Sequence, residues 1–365
     1  MFRLPVSLRL VLVPVLASGA LLLGGCESPD CCTPPEPLLK QDLAANFADA
    51  VVVPTYQRLA TRLAELDAAA RALRAEPTEA RLTAARQAWF AARAPWEQGE
   101  AFQFGPVDSL GYEPALDSWP VSRTDVDAVL ASDDALTAEY VGTLRETQKG
   151  FHTVEYLLFG EDAATTAEAL TPRRLEYLTA LTAELKSLGA ALTGTWTQAA
   201  EGQPPYRDTL AGAGQSGNTA YPSVQSAARE MVSGIVRVLG EVADEKLAAP
   251  YDAKDPDLVE SRFADNTVSD CANNLRGVES VYLGHLQDAR AQGQTLRDVI
   301  GVGTDRDARI RGELAQALTA LGRIPEPFRD AILAPGSADE IEAARDAVRN
   351  LKTTFERDVL PMFPR

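Results

Sequence analysis

The sequence predicts an all-α fold built from two halves, each similar to a four-helix bundle. From Leu39 onward, apolar residues recur near a period of 3.6 almost throughout the chain. Alanine, leucine, glutamate and arginine, which favour helices, dominate this region, and alternating runs of β-branched residues are scarce. Each half contains about four helical segments, and two stacked four-helix bundles suit about 325 ordered residues.

Residues 1–25 have the pattern of a secretory signal peptide. Arg3 and Arg9 precede an apolar run, and a Leu-Gly-Gly-Cys box ends at Cys26. This box resembles the lipobox of bacterial lipoproteins, in which the cysteine is lipidated, so we expect a lipid anchor on Cys26. An uncleaved anchor helix is the alternative, but the apolar run is shorter than the roughly 20 residues that span a bilayer. An aspartate directly after the lipidated cysteine would resemble an inner-membrane retention signal. This chain has Glu27 at that position, which favours the periplasmic face or surface of the outer membrane.

Residues 26–39 predict a flexible tether, because four prolines in this short segment oppose a helix and little of it is apolar. With Cys26 lipidated, Cys31, Cys32 and Cys271 remain. An adjacent Cys31–Cys32 link would be strained, and Cys271 lies in a helical pattern as a small apolar residue. We therefore predict no disulfide.

The tether leads into an N-terminal helical bundle over residues 40–200, a linker over 201–219, and a C-terminal helical bundle over 220–365. The linker is rich in Gly, Gln, Pro, Ser and Asn. In the first bundle the pattern predicts helices over 41–75 with an interruption at Pro54, over 78–94, from Asp133 to Lys149, and over 171–200. In the second bundle it predicts helices over 222–248, 257–289, 304–322 and 338–358.

The charge balance is acidic, with 35 basic and 52 acidic residues and a formal net charge of −17. Nucleic-acid binding and docking on anionic lipid both need basic surfaces, so this composition argues against both. Attraction for cations and ordinary solubility are both compatible with it.

His152 and Glu155 form the first candidate site. The chain has only two histidines, and these two residues are three apart, which places them on one face of a helix. Bundle metalloproteins use His and Glu at this offset together with carboxylates from facing helices. The alternative is a partly buried histidine satisfied by a neighbouring carboxylate. The other histidine, His285, follows Gly284 and is expected to be a surface or capping residue.

A second group of candidates is acidic. Glu97 and Glu100 are three apart beside Trp96, Phe102 and Phe104, and Asp117 precedes a Trp-Pro turn. Charged groups beside an aromatic cluster are costly unless they are paired or bind a cation. The alternative is that Glu97 and Glu100 lie on a solvated face while the aromatic residues form the core.

Four separated blocks carry a resemblance to a known family. They are a Gly-x-His-x-x-Glu motif from Gly150 to Glu155, and the segments Trp89–Pro106, Leu116–Pro120 and Asp265–Gly284. Together they resemble the imelysin-like proteins, which are bacterial periplasmic or surface proteins related to the metal-binding domain of a periplasmic iron-uptake protein. The resemblance implies an all-helical fold of two bundle-like halves. It also implies a metal site at His152, Glu155, Glu97, Glu100 and Asp117.

This set of one imidazole and up to four carboxylates suits iron, manganese or zinc better than copper(I), which prefers sulfur. We therefore expect an envelope-anchored lipoprotein that binds a metal ion, iron or zinc, or an iron complex, as part of iron or metal uptake with an uptake-system partner. The family takes its name from a proposed metallopeptidase, so the alternative is a zinc-dependent peptidase acting on envelope or extracellular proteins. In that case Glu155 or Glu100 would be the general base. However, the sequence has no His-Glu-x-x-His motif. A third alternative is a structural module whose polar cluster fixes helix register.

Overall fold

The first half of the chain folds into helices from residue 42 onward. The computed structural model describes residues 38–161, 163–200 and 202–364. The predicted signal peptide, Cys26 and most of the tether therefore lie outside the described residues. The first-half helices are α1 (Asp42–Phe47), α2 (Val53–Ala75), α3 (Glu79–Gly99), α4 (Pro106–Ser109), α5 (Tyr112–Asp117), α6 (Arg123–Ala131), α7 (Ala138–Gly142), α8 (Gly150–Phe159) and α9 (Pro172–Thr197).

The second half is also helical. Its helices are α10 (Tyr206–Ala211), α11 (Val224–Gly240), α12 (Ala249–Ala253), α13 (Thr267–Leu283), α14 (Leu296–Ile300), α15 (Asp305–Leu321), α16 (Phe328–Ala331) and α17 (Ala338–Thr354). Short 3-10 segments cover Glu100–Phe102, Glu146–Gln148, Ala167–Ala169, Pro256–Leu258, Pro335–Ser337 and Leu360–Met362. Three π-helical segments, each continuous with a neighbouring helix, cover Ala48–Val52, Glu241–Ala248 and Phe355–Val359.

The long helices form two groups of four. In the first group, α2 packs on α3 and α9, and α8 packs on the same two helices. In the second group, α11 and α15 both pack on α13 and α17. Helix α13 of the second group also packs along α3 of the first. The all-α fold of two four-helix-bundle-like halves is therefore confirmed. Residues 37–365 form one compact unit, and the predicted domain boundary at 201–219 stays a prediction.

Among the described residues, seven α-helices begin at a serine or threonine whose side chain satisfies a free backbone N–H. Each of these side chains accepts a hydrogen bond from the backbone N–H three residues later, as in a standard N-cap. The residues are Thr78, Ser122, Thr137, Thr171, Ser223, Thr295 and Thr304. Among the described residues, no helix is both long enough and apolar enough to span a bilayer.

Helix α3 is longer than predicted, because it continues through Pro95 to Gly99. Pro95 has no N–H to donate to the carbonyl of Ala91, but Ala91 is only half-buried. The predicted end at Ala94 is therefore wrong. The extra turn carries Glu97 and buries Trp96, which is 1% exposed.

The predicted helix from Asp133 to Lys149 is wrong. Thr137 caps α7, which ends at Gly142, and a short 3-10 turn follows before Lys149.

The predicted helix over 257–289 begins ten residues late, at Thr267. Ser261 and Asp265 have φ values of 52° and 56°. L-residues inside a right-handed α-helix do not adopt this left-handed conformation. The irregular segment 259–266 instead carries Glu260 toward the first half of the chain, where its carboxylate approaches Arg93 and His152.

Candidate metal centre

Polar side chains from both halves meet in the interior between α3, α5, α8 and α13. His152, Glu155, Glu97, Glu100 and Asp117, the five residues predicted for a metal site, all lie in this cluster and are all buried. The second half contributes Lys246 from the π segment Glu241–Ala248, together with Glu260, Asp270 and Asn274.

Two close backbone approaches bring these elements together. Gly150 starts α8 with a φ of +83°, and a Cβ at this position would lie 2.6 Å from the carbonyl oxygen of Leu116. Glycine therefore allows the start of α8 to touch the end of α5, and this contact places His152 beside Asp117. Gly277 on α13 lies against the backbone carbonyl of Gln98 on α3, where a Cβ would overlap that carbonyl. This approach brings Asn274 within reach of Glu97.

The imidazole of His152 is fully buried and points its two nitrogens at different carboxylates. Nδ1 lies 2.8 Å from Glu155 Oε2. Nε2 lies 3.1 Å from Asp117 Oδ1 and 3.5 Å from Glu260 Oε1. Although these distances are short, Nε2 makes no aligned hydrogen bond with either carboxylate. The ring of Trp119 covers the imidazole edge-on, with 4.8 Å between ring centroids.

Both oxygens of Glu155 are engaged within the protein. Oε2 contacts His152 Nδ1, and Oε1 accepts the backbone N–H of Ala264 at 2.8 Å. The structure therefore brings Glu155 to the imidazole, but on the Nδ1 side rather than on the Nε2 side that faces Asp117 and Glu260. This is the arrangement in which a carboxylate fixes the tautomer of a metal-binding histidine.

Arg93 and Lys246 are the buried cations of the cluster. Arg93 forms ion pairs with Asp117 and Glu97, and also approaches Glu260 at 3.1 Å and Asp270 at 3.2 Å. Its guanidinium lies over the ring of Phe151, 5.3 Å from the centroid. Arg93 therefore neutralises two of the carboxylates predicted for the metal site, Asp117 and Glu97.

The predicted acidic pair, Glu97 and Glu100, is in contact with Lys246. The Nζ of Lys246 lies 2.9 Å from Glu97 Oε2 and 2.9 Å from Glu100 Oε2. The amide of Asn274 donates to the same two oxygens at 2.8 and 2.7 Å. The alternative of a solvated acidic face is wrong, since Glu97 is 0% and Glu100 is 4% exposed.

The charges in the cluster perturb several pKa values. Burial alone would lower the pKa of His152, but the carboxylates of Asp117, Glu155 and Glu260 outweigh burial and raise it well above the ordinary histidine value. Burial raises the pKa of Asp270 to about 7 against the opposing effect of Arg93. Burial, reinforced by Glu97, raises the pKa of Glu100 well above its usual value. The cluster on its own therefore retains protons near neutral pH.

Sequence reasoning missed Glu260 and Lys246. Glu260 was placed in the helix predicted over 257–289, but it lies before the residue at which that helix begins, and nothing in the surrounding pattern distinguishes it from an exposed glutamate. Lys246 lies in an apparently ordinary amphipathic stretch, and the π-helical turn that directs it inward has no simple sequence pattern. Asp270 and Asn274 were visible as polar residues in an apolar helix, but their partners were not. His285, by contrast, is part-buried with Nδ1 2.8 Å from the carbonyl oxygen of Leu286, as expected for a structural histidine.

Two overlapping groups of side chains place their donor atoms within 4.8 Å of one another, the spacing needed to hold one metal ion. The first is Asp117, His152 and Glu260, and the second is Glu97, Glu100 and Asp117. The first group includes Nε2 of His152, a buried nitrogen that faces both carboxylates without an aligned hydrogen bond to either. Mixed nitrogen and carboxylate donors fit zinc, iron or manganese.

Comparisons with known proteins agree with this architecture. The Imelysin family model matches residues 52–355. Iron-regulated protein A from Synechococcus elongatus is 36% identical over 337 residues, which cover 91% of this chain and 89% of that protein.

Two crystal structures share the fold. A protein from Parabacteroides distasonis, named as a candidate iron-regulated protein A precursor, superposes with a TM-score of 0.79 at 24% identity, covering 89% of this chain and 95% of its own. An imelysin-like protein from Psychrobacter arcticum gives a TM-score of 0.70 at 14% identity, covering 90% and 97%. The family resemblance carried by the four sequence blocks is confirmed: the chain belongs to the imelysin family.

Proposed function

We propose that this protein binds one metal ion, iron or zinc, through His152 Nε2 and the carboxylates of Asp117 and Glu260. The observation that supports this most strongly is the Nε2 of His152. It is fully buried and lies 3.1 and 3.5 Å from two carboxylate oxygens, without an aligned hydrogen bond to either. A buried imidazole nitrogen that faces two carboxylates is satisfied either by a proton, which makes an ion pair, or by a cation shared with the carboxylates.

Glu155 prepares the histidine for this role. When Glu155 Oε2 accepts the Nδ1 proton, the neutral imidazole carries its lone pair on Nε2, toward Asp117 and Glu260. We therefore assign Glu155 to orientation of the imidazole and not to the ion itself. Glu97 and Glu100, which the family resemblance assigns to the metal, are engaged by Lys246 and contribute charge nearby.

The charge balance of the cluster also supports a cation. Within the described part of the chain, the six carboxylates of Glu97, Glu100, Asp117, Glu155, Glu260 and Asp270 are accompanied by two buried permanent cations, Arg93 and Lys246. Concentrated buried negative charge is relieved either by protonation or by a bound cation. A divalent or trivalent ion would displace protons that the cluster otherwise retains.

Of the three proposed ligands, Glu260 is the most exposed to solvent. Asp117 and His152 have side chains that are 3% and 0% exposed, whereas the side chain of Glu260 is 12% exposed. Glu260 is also the one of the three that lies on an irregular segment rather than on a helix. We therefore infer that the ion enters past Glu260.

The metal ion or iron complex would be cargo of an iron-uptake system in the bacterial cell envelope. A curated relative that covers most of this chain is named iron-regulated protein A. The predicted signal peptide over 1–25 and a lipid on Cys26 would hold the protein at the envelope, on the periplasmic face or surface of the outer membrane. An uptake-system partner would then receive the metal from it.

The direct test is metal analysis of the full chain purified without a polyhistidine tag. We expect one ion per chain by elemental analysis, and calorimetric titration of Fe²⁺, Zn²⁺ and Mn²⁺ should identify the preferred one. His152→Ala should abolish binding, while His285→Ala, which removes the only other histidine, should leave it unchanged. Absence of binding for all three ions, or equal binding by both variants, would reject the proposal.

The geometry gives less support to the peptidase alternative. Glu155, the candidate base, is 0% exposed and has both oxygens engaged by His152 and Ala264. A general base must reach the water or proton that it activates. Cleavage of casein or insulin that a chelator stops, zinc restores, and Glu155→Gln abolishes would favour the peptidase over the binding protein.

A further inference from the structure

The π-helical segment Glu241–Ala248 places a lysine inside the acidic cluster. The side chain of Lys246 is 6% exposed, and its Nζ lies 2.9 Å from Glu97 Oε2, 2.9 Å from Glu100 Oε2 and 3.1 Å from Glu260 Oε2. A π-helical turn adds a residue to the helical repeat and rotates the side chains that follow it. It is the local feature that directs Lys246 toward α3 instead of along the surface.

The ammonium group contacts two of three carboxylates that are grouped closely enough to hold a second metal ion. Glu97 and Glu100, together with Asp117, bring donor oxygens within 4.8 Å of one another. The amide of Asn274 is fully buried beside them and donates to both glutamates, while its Oδ1 has no hydrogen-bond partner. Grouped carboxylates are donors that hard cations take, and here the N–H groups of Asn274 and the ammonium of Lys246 satisfy them instead.

Glu260 connects this position to the site at His152. Its Oε2 contacts Lys246, and its Oε1 faces His152 Nε2. Asp117 likewise belongs to both groups of donor atoms. The two positions are therefore adjacent and share two carboxylates, as in centres that hold two metal ions.

We propose that Lys246 is a resident cation that fills the second position of what would otherwise be a two-ion centre. It limits the protein to one exchangeable metal ion at His152, Asp117 and Glu260. This inference rests on the proposed function in one respect, the expectation that the native protein binds a single ion at His152. The second position is formed by other residues and does not require His152. A protein that delivers metal gains from this arrangement, because one ion held by a few donors is easier to release than a pair bridged by shared carboxylates.

The alternative is that Lys246 is only a partner in a buried ion pair. Removing it would then leave unpaired buried carboxylates and lower stability, with no change in metal binding. The two explanations differ in what added metal does to a variant that lacks the ammonium.

The test is the substitution Lys246→Met in the full chain, titrated with Mn²⁺ by calorimetry and by electron paramagnetic resonance. We expect the number of bound ions to rise by one relative to the native protein. Lys246→Arg keeps the charge and is the matched control, for which we expect no additional ion. Lys246→Met combined with Glu100→Gln should lose the added ion again.

The double variant His152→Ala, Lys246→Met separates this inference from the proposed function. It lacks the first position, so we expect it to bind one ion at the second. If the native protein binds no metal but this double variant binds one ion, the proposed function fails and the role of Lys246 stands. If Lys246→Met binds only as many ions as the native protein, the role of Lys246 is rejected whatever happens at His152.

A loss of folding in Lys246→Met would also be informative. In that case circular dichroism melting is measured with and without Mn²⁺. A folding transition restored by Mn²⁺, but not by the same ionic strength of Na⁺, supports a vacated cation position. A variant that stays unfolded with Mn²⁺ rejects it.

Discussion

Glu155 Oε2 and His152 Nδ1 are 2.8 Å apart inside the protein, and the second oxygen of Glu155 is fixed by the backbone N–H of Ala264. His152 and Glu155 of the Gly-x-His-x-x-Glu motif therefore contact each other. They do not direct free donor atoms at one shared position, as two ligands of the same ion would. The histidine lies between the glutamate on one side and Asp117 with Glu260 on the other. Under the proposed function, the motif would supply a ligand, His152, together with the residue that orients it, Glu155.

Substituting Glu155→Gln should weaken metal binding without abolishing it. The amide retains a hydrogen bond to the imidazole but does not fix the Nδ1 proton as a carboxylate does, and loss of such an outer partner costs about 10–100-fold in affinity. Calorimetric titration measures this change, with His285→Ala as the control. Complete loss of binding, equal to that of His152→Ala, would show that Glu155 is itself a ligand.

Substituting Glu260→Gln should weaken binding at least as much as Glu155→Gln, because it removes a charged donor oxygen on the Nε2 side of His152. Glu342→Gln, a substitution of an exposed glutamate on α17, is the control. Fluorescence of Trp119, whose ring lies 4.8 Å from the imidazole, provides a second readout, since Fe²⁺ or Mn²⁺ at the site should quench it. If Glu260→Gln bound the metal with native affinity, Glu260 would not be a ligand and the ion would lie elsewhere.

Metal affinity should rise with pH across the neutral range. Burial opposes protonation of His152, but the neighbouring carboxylates raise its pKa well above the ordinary value, and burial raises the pKa of Asp270 to about 7. The ion must displace the His152 proton, so affinity is lowest where His152 is protonated and increases as the pH rises through its pKa. Because that pKa is raised, the increase should continue above the value of about 6.5 of a free histidine.

Calorimetry at about pH 6, 7 and 8, in buffers of different ionisation enthalpy, measures both the affinity and the protons released. We expect net proton release on binding and weaker binding at the lowest pH. Affinity that does not change between these pH values would mean that no protonated group of the cluster competes with the ion.

The close contact between α13 and α3 should be essential for site geometry. A Cβ on Gly277 would overlap the backbone carbonyl of Gln98, so Gly277→Ala must push the two helices apart. We expect a loss of about 1–3 kcal/mol in unfolding free energy, together with weaker metal binding. Gly312→Ala on α15 is the control, since nothing lies within 4 Å of its added Cβ, and it should stabilise the protein by about 0.4–1 kcal/mol. Similar denaturant midpoints for both variants would contradict this account of the contact.

Helical periodicity was enough to predict the all-α class and the two bundle-like halves, because each long helix buries one regular apolar face. The convergence of His152, Glu155, Glu97, Glu100 and Asp117 was predicted from the family resemblance, whereas the residues alone showed only that charged groups beside aromatic ones need partners. Which partners they have was not predictable. Arg93 and Lys246 are ordinary basic residues in sequence, and only the fold shows that they neutralise the acids assigned to a metal.

The errors occurred where backbone geometry departs from the regular helix. Pro95 was expected to end α3, but the helix continues and carries Glu97 inward. Ser261 and Asp265 adopt left-handed conformations that interrupt a predicted helix, and this interruption is what presents Glu260 to His152. The π-helical segment that contains Lys246 is a third example. Each irregularity places a side chain in the candidate centre, so the site depends on the features that periodicity describes least well.

The most direct test of the account is the metal content of the native chain compared with His152→Ala and His285→Ala, all purified without a polyhistidine tag and analysed after exposure to Fe²⁺ or Zn²⁺. The account predicts one tightly bound ion in the native protein and in His285→Ala, and none in His152→Ala. Circular dichroism should show that all three proteins are folded. An equal metal content in folded His152→Ala and native protein would contradict it.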